Sequence, residues 1–562
     1  MPKPTRRHRP RTGASTLALA AGACVALVST VGCTGDSEGA ATTSTAASAS
    51  EITCPTSVDA DEFASADEMR SLLEEFNAFG LRSPASEQHE ASIDWLADEL
   101  AAVPGMEIEF DEYTIDRWQP TPEADGDTPG RDLAAAGALT VDTDGVTEPV
   151  EVIGAVPFTL PTDEEGASGQ LVRVAPGQAI SPEIAAGKVV LFELEHTTLP
   201  YTVFPAIGHH VTDDVPTEGE YDRPYLRQID QPLIDAGLAG AAGVILAWDA
   251  PTDQLRGYWD PHTGTKFHVP AVYVGNDRIE ELRALADAGG TTAGVVVRAE
   301  WDTAPTRNLI ATLPGRTRER IVVNTNTDSV NWVQENGNIA AIALARYLGS
   351  LPIECRNRDV QFALTTNHLG FSADGTFRYG NQLDEDFDAG TVAFVMAPEH
   401  LGAREILPAG ADNRLEFTGE GDIFAWSAPD ESPVLIQASI DAVRRRALSR
   451  TAVLKGVGAP SDAQVPSVCS QGGLGTNFHG HLIPTIAGIS GPWSLWAPSF
   501  GESAIDVDRM RDQTLAFGDI AVELDDVALE DIAGTYPAAR ERRAQGGATC
   551  SLEPPPTEAP AP

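Results

Sequence analysis

One stretch constrains the chain more than any other: Ile321 to Leu348, IVVNTNTDSVNWVQENGNIAAIALARYL. It begins with three β-branched residues, Ile321, Val322 and Val323, which read as the end of a buried strand. Polar residues follow at once at Asn324, Asn326, Asp328 and Asn331, and Glu335-Asn336-Gly337 turns the chain. A helix is expected next, with Ile339, Ile342 and Leu344 on its apolar face, then Tyr347 and Leu348, and with Gly349 where a C-cap glycine belongs. Strand, polar crossover and helix is the arrangement in which an open α/β sheet sets a site at the carboxyl ends of its strands. An ordinary strand–loop–helix unit reads the same way, so the rest of the chain has to decide.

Before this stretch, two helices are expected at 66–79 and about 87–102, with Met69, Leu72, Leu73 and Phe76, then Ile93, Leu96 and Leu100, facing inward. An alternating strand follows at Met106, Ile108 and Phe110. From about 134 to 303 the composition shifts to short strands between Pro/Gly turns, among them Lys188 to Phe192 and Gly294 to Val297. A small-residue helix at 236–242 runs into the strand Val244-Ile245-Leu246, and Val269-Pro270-Ala271-Val272-Tyr273-Val274 follows. Within this region, 201–230 reads as a polar lid loop. Its His209, His210, Asp213 and Asp214, with His196, Asp260, His262 and His268, are an alternative metal-binding group. Strands resume at Asn308 to Ala311, at Val360 to Leu364 and at 391–397, and helices at about 434–448 and 515–529.

The first 32 residues carry Lys3, Arg6, Arg7, Arg9 and Arg11, no acid, and an apolar run from Ser15 to Val31. That is the pattern of a signal peptide. It ends in Thr30-Val31-Gly32-Cys33, which resembles a bacterial lipoprotein signal with Cys33 as the lipidated residue, although Thr30 stands where leucine is usual. A plain secretory signal is the alternative. Residues 33–60 then form a polar tether, and 549–562 a Pro-rich tail. Without its five basic residues the net charge falls from −45 to −50. Such a surface repels nucleic acid and anionic lipid, leaving the anchor as the expected contact with membrane. Cys54, Cys355, Cys469 and Cys550 remain, an even number with no C-x-x-C spacing, so two disulfides are expected rather than a thiolate metal site. Three pairings are open. The usual nearness of chain termini favours Cys54–Cys550, and therefore Cys355–Cys469.

The order of these elements resembles the secreted di-zinc aminopeptidases and their relatives, the glutamate carboxypeptidases and the transferrin receptor. The resemblance rests on Asn326-Thr327-Asp328-Ser329, on Glu335-Asn336-Gly337 and on the strands around them, and covers nearly all of 61–545. Residues 134–303 resemble the protease-associated (PA) domain that interrupts that fold and covers its cleft. The resemblance implies an α/β zinc-exopeptidase-like three-layer sandwich with a mixed central sheet. It is formed by 61–133 and 304–548 and interrupted by a β-rich PA-like domain at 134–303.

Two-metal hydrolysis needs ligands that hold two cations together and a carboxylate base. On the family's frame the first histidine falls on Asn326, the bridging aspartate on Glu335 and the general base on Asn367. The neighbouring ligand falls on His368, the next carboxylate on Glu399 and the last histidine on Gly475. Asp328 keeps the supporting position beside the first histidine. Glu335, His368 and Glu399 can bind a cation, while Asn326, Asn367 and Gly475 cannot do the family's work. The resemblance thus implies a degenerate site, with one divalent metal, zinc by donor type, if any. Replacement of the last ligand by His479 or His481 is an alternative. The expected function is a non-catalytic protein that binds a peptide or protein in the cleft under the PA-like domain. The alternative is an exopeptidase or amidohydrolase with a remodelled one-metal site.

Overall fold

The structure is a computed structural model that describes residues 52–123, 131–175, 177–194, 197–260, 264–371, 374–460, 469, 471–550 and 557–558. The signal region and Cys33 lie outside the described residues. At the centre is a nine-stranded mixed sheet. Its strands lie in the order Glu107–Pro120, Ala299–Leu313, Asp359–Thr365, Arg320–Asn326, Val392–Pro398, Thr485–Ile489, Phe424–Ser427, Thr451–Leu454 and Gly208–Val211. Asp359–Thr365, Arg320–Asn326, Val392–Pro398 and Thr485–Ile489 are mutually parallel, so their carboxyl ends share one edge.

The three layers follow from a period of two. Ile321, Val323, Phe362, Leu364, Phe394 and Met396 enter one apolar core, and Val322, Ala363 and Val395 enter the other. The first core is closed by helices Ala66–Asn77, Glu87–Ala101, Gly337–Ser350, Pro433–Arg445 and Val507–Glu523, through Leu72, Ile93, Ile342, Leu435 and Phe517. Tyr379, Leu383 and Phe478 cover the second, from helices Asp374–Asp388 and Gly475–Gly480. Each large side chain buried this way contributes about 1.5–3 kcal/mol. Gly349 does not cap its helix, which runs on to Ser350. It is glycine because a Cβ there would lie 2.3 Å from Val103 Cγ1, so the residue allows close packing.

A second, eight-stranded sheet is drawn entirely from residues between Glu107–Pro120 and Ala299–Leu313. Its core of Val190, Leu191, Ile245 and Val272 continues into Val330, Val333, Leu369, Trp493 and Trp496, which belong to loops at the carboxyl edge of the central sheet. The 201–230 segment is not a polar lid. Its Gly208–Val211 strand pairs antiparallel with Thr451–Leu454 and forms the ninth strand of the central sheet. Tyr201, Phe204 and Tyr221 pack on Ile423, Ala452 and Leu454, which holds the segment in place. Of the alternative metal group, His196 and His262 lie outside the described residues. Among the described residues, His209, His210, Asp213, Asp214, Asp260 and His268 form no metal-binding cluster.

The disulfides are Cys54–Cys355 and Cys469–Cys550, with Cα–Cα separations of 5.1 and 5.3 Å. The pairing expected from the termini is therefore wrong. The N-terminal segment is held on the helix side of the central sheet, where Val58 N–H donates to Asp519 Oδ1 and Asp59 N–H to Tyr347 Oη. Cys355 follows the helix that carries Tyr347. Cys550 follows helix Tyr536–Ala544, and it shares an apolar cluster with Cys469, Leu482 and Tyr536. Among the described residues no helix is long and apolar enough to cross a membrane. The two disulfides point to an oxidising, extracytoplasmic compartment.

Candidate metal centre

Three sharp turns at the carboxyl edge bring the candidate residues together. Glu335, Asn367 and His400 all have positive φ, at 59°, 75° and 51°, a backbone region that costs energy for residues other than glycine and collects at functional sites. Gly337 lets the first turn close. A Cβ there would lie 2.2 Å from Pro398 O and 2.6 Å from Thr325 Oγ1. Asn336 then locks this turn to the next loop, donating from Nδ2 to Leu401 O at 2.7 Å and accepting Leu401 N–H at 2.9 Å. Glu335 and Glu399 are thereby fixed on facing turns. Gly370 makes room in the same way for Asn367, whose Oδ1 would lie 1.6 Å from a Cβ at that position.

Glu335, His368 and Glu399 converge. Each offers one ligand atom, and these atoms lie within 4.8 Å of one another, although the residues come from three separate loops. His368 Nε2 is 3.5 Å from Glu335 Oε1. Thr325 Oγ1 and Asn326 N–H donate to Glu335 Oε2, at 3.3 and 3.2 Å. Leu474 N–H donates to Glu399 Oε2 at 2.7 Å, and Gly473 is glycine because a Cβ would sit 2.0 Å from that oxygen. Burial, then the charges of Glu399 and Asp328, raise the Glu335 carboxyl well above its ordinary range. Burial likewise raises Asp328 to about 6, against the backbone N–H groups of Leu369, His368 and Asn367 that favour its charge. The region is rich in carboxylate and short of compensating charge. Two carboxylates and an imidazole are a donor set that fits a zinc ion, and a cation is what this potential favours.

The other family positions offer little to a metal. Asn326 is buried, and its Oδ1 accepts from Thr365 Oγ1 at 2.8 Å and Thr376 Oγ1 at 3.3 Å. Gly475 begins a short helix, where a Cβ would lie 2.5 Å from Ala487 Cβ, so the packing excludes any side chain. His479 is turned away toward Tyr536 Oη and Val457 O, at 2.6 and 2.8 Å. His481 lies 3.7 Å from Asp384. Neither histidine joins the triad. Asp328 accepts the Leu369 N–H, so it braces the loop that carries His368.

Sequence reasoning missed the residues that hold these loops. His89, fully buried, lies 2.8 Å from Thr327 Oγ1 and 2.9 Å from Thr366 Oγ1 through Nε2, and its Nδ1 accepts Ala85 N–H. Burial, with Arg82 and Arg307 nearby, lowers its pKa to about 3, so it is a neutral strut. Arg82 pairs its backbone with Ser329, stacks over Phe76, and supplies a buried positive charge near Asp328 and Glu335. A polar residue on the inward face of an amphipathic helix, as His89 is, was the one available signal.

No model of a protein family matches the chain, and no curated protein is similar to it in sequence. Solved structures are similar in fold. A zinc aminopeptidase from Bacillus subtilis superposes with a TM-score of 0.55 at 15% identity, over 83% of this chain and 97% of the other. An aminopeptidase from an Aneurinibacillus species does so with a TM-score of 0.52 at 16% identity, over 82% and 94%. The architecture described above is therefore the mixed α/β fold seen in zinc aminopeptidases.

Proposed function

We propose that this chain is an extracytoplasmic, metal-binding relative of the zinc aminopeptidases that has given up two-metal peptidase chemistry and uses its cleft to bind a peptide or protein. In this reading Cys33 carries a lipid anchor, 33–60 is the tether, and residues 134–303 are a PA-like unit beside the cleft. The observation that carries the reading is the convergence of Glu335, His368 and Glu399, with no further ligand from Asn326 or from the closed position at Gly475.

The three residues suffice to hold one divalent ion. When bound, such an ion supplies a Lewis acid that can take a carbonyl or carboxylate oxygen. The chain's own groups do the rest. Leu474 N–H and the Asn336–Leu401 pair hold the carboxylates in place, and His89 fixes the loops beneath. Asn367 stands where a base is needed and cannot accept a proton there. Loss of a general base forfeits ~10²–10⁴ in rate.

The expected outcome is that mature protein, given a panel of aminoacyl and dipeptide substrates with added Zn²⁺, Mn²⁺ or Co²⁺, shows no chelator-sensitive turnover. Turnover accompanied by two bound zinc ions would overturn the reading. Turnover with a single ion, lost on Glu399→Ala, would favour a remodelled one-metal hydrolase in its place.

A further inference from the structure

Glu399 is held by a turn that cannot keep its own shape. Gln471-Gly472-Gly473-Leu474-Gly475 lies against its carboxylate. Leu474 N–H donates to Oε2 at 2.7 Å, and a Cβ on Gly473 would stand 2.0 Å from the same oxygen. Three of these five residues are glycine, and Gly472 and Gly473 have positive φ, at 75° and 47°. Glycine loses more conformational freedom on folding than any other residue, so such a turn stays in place only if its ends are fixed.

The downstream end is fixed by packing. Leu474 shares an apolar cluster with Ala397 and Ala487, and Gln471 N–H donates to Thr476 Oγ1 of helix Gly475–Gly480 at 3.2 Å. The upstream end is fixed covalently. Cys469, two residues before Gln471, is buried and bonded to Cys550, and the pair packs with Leu482, Tyr536 and Ala539. The other disulfide is placed differently. Cys355 precedes the amino end of strand Asp359–Thr365, whereas Asn367 and His368 follow its carboxyl end. Cys54–Cys355 therefore ties down the N-terminal segment at the sheet edge away from the metal centre.

A fold tolerates a loosened turn better than a metal site does. Metal–ligand distances are held to about 0.2 Å, and loss of a group that orients a ligand typically weakens metal binding by ~10–100-fold.

We infer that Cys469–Cys550 is a positioning pair for the metal centre: the bond holds residues 471–475 on Glu399, so the centre is complete only in the oxidised chain. The inference rests on the metal-binding reading proposed above and adds a control on that site. Forming the bond takes two electrons and two protons from the thiols, and a disulfide-bearing oxidant accepts them by exchange, leaving as two thiols.

The test uses the full mature chain with the bond opened in two ways, by Cys469→Ala with Cys550→Ala and by Cys469→Val with Cys550→Ala, which keeps more of the apolar packing. Cys54→Ala with Cys355→Ala is the control. Zinc affinity is measured by competition with a chromophoric chelator. Melting temperature is recorded, as is amide exchange at Leu474 in the metal-free chain relative to Val322 and Val323. In both Cys469/Cys550 variants zinc affinity should fall at least tenfold and the Leu474 amide should exchange at least tenfold faster. The control should melt lower yet keep the parent's values for both. Cys469/Cys550 variants that bind zinc like the parent, or a control that weakens zinc binding equally, would overturn the inference. Failure of both Cys469/Cys550 variants to fold would also overturn it, because the bond would then brace the whole fold. A parent that takes up no zinc contradicts the metal centre instead. Leu474 exchange then decides the positioning role by itself: faster exchange in the Cys469/Cys550 variants alone supports it, and equal exchange ends it.

Discussion

Two clusters of buried charge lie within this fold, and they are built on opposite plans. In one, Arg223 Nη2 lies 2.5 Å from Asp422 and 3.4 Å from Glu405, and Arg450 Nη2 lies 2.5 Å from Glu405. Two cations face two anions. This cluster fastens the 201–230 segment and its added strand to the central sheet. In the other, Asp328 and Glu335 lie near Arg82, Glu399 lies beside Glu335, and the carboxyls of Asp328 and Glu335 are raised by burial. In the first cluster each carboxylate meets a guanidinium, as a network removed from water requires. The second is left with an excess of negative charge for a cation to satisfy, which is the mark of a binding site.

Breaking the balanced cluster should have the largest effect. Arg223→Ala leaves Asp422 buried without its cation, and a loss of about 3–5 kcal/mol is expected. Urea unfolding checks this, and a change within error of zero would erase the contrast between the two clusters.

A half-buried carboxyl separates the two plans by pH. Asp230 shares a cavity of about 320 Å³ with Asp260, Tyr225, Arg227 and Trp496. Burial, then Asp260, raises its pKa to about 7. A carboxyl whose folded pKa is raised binds its proton more tightly in the folded state. Its contribution to stability is whole below the unfolded value of about 3.9 and is lost as pH rises through about 7. Asp230→Asn should therefore flatten the fall in melting temperature between about pH 4 and 7, with a smaller total effect than Arg223→Ala. An unchanged slope would show that Asp230 does not titrate in this window.

The smallest effect is the most telling about the centre. In metal-free protein, Glu335→Gln removes one of several crowded carboxyls, and a rise in Tm of about 1 °C is expected. The same change should abolish stabilisation by added zinc. A fall in Tm without metal would mean that Glu335 is a structural group like Asp422.

Much of this was legible in the sequence because it is local. The β-branched run at Ile321, Val322 and Val323 and the 3.6-residue spacing of the helices each report a buried face within a few residues. The order of Glu335, His368 and Glu399 was legible through family resemblance, and their convergence follows from parallel strands sharing an edge. What failed was long-range or atypical. Disulfide pairing joins Cys54 to a residue 301 positions away, which no local pattern encodes. Gly208-His209-His210-Val211 carries no apolar alternation, because it is an edge strand held by neighbouring aromatics. Gly349 was misread because close packing and capping both select glycine. His89 and Arg82 support the site from helices and turns more than 200 residues upstream of it.

The central claim is a single cation held by Glu335, His368 and Glu399. Its most direct test is the metal content of the purified mature chain by mass spectrometry after equilibration with zinc and desalting. The account predicts one zinc per chain, lost from Glu399→Ala and from Glu335→Gln and kept by Arg223→Lys. Two zinc ions per chain, or one that survives both site substitutions, would contradict it.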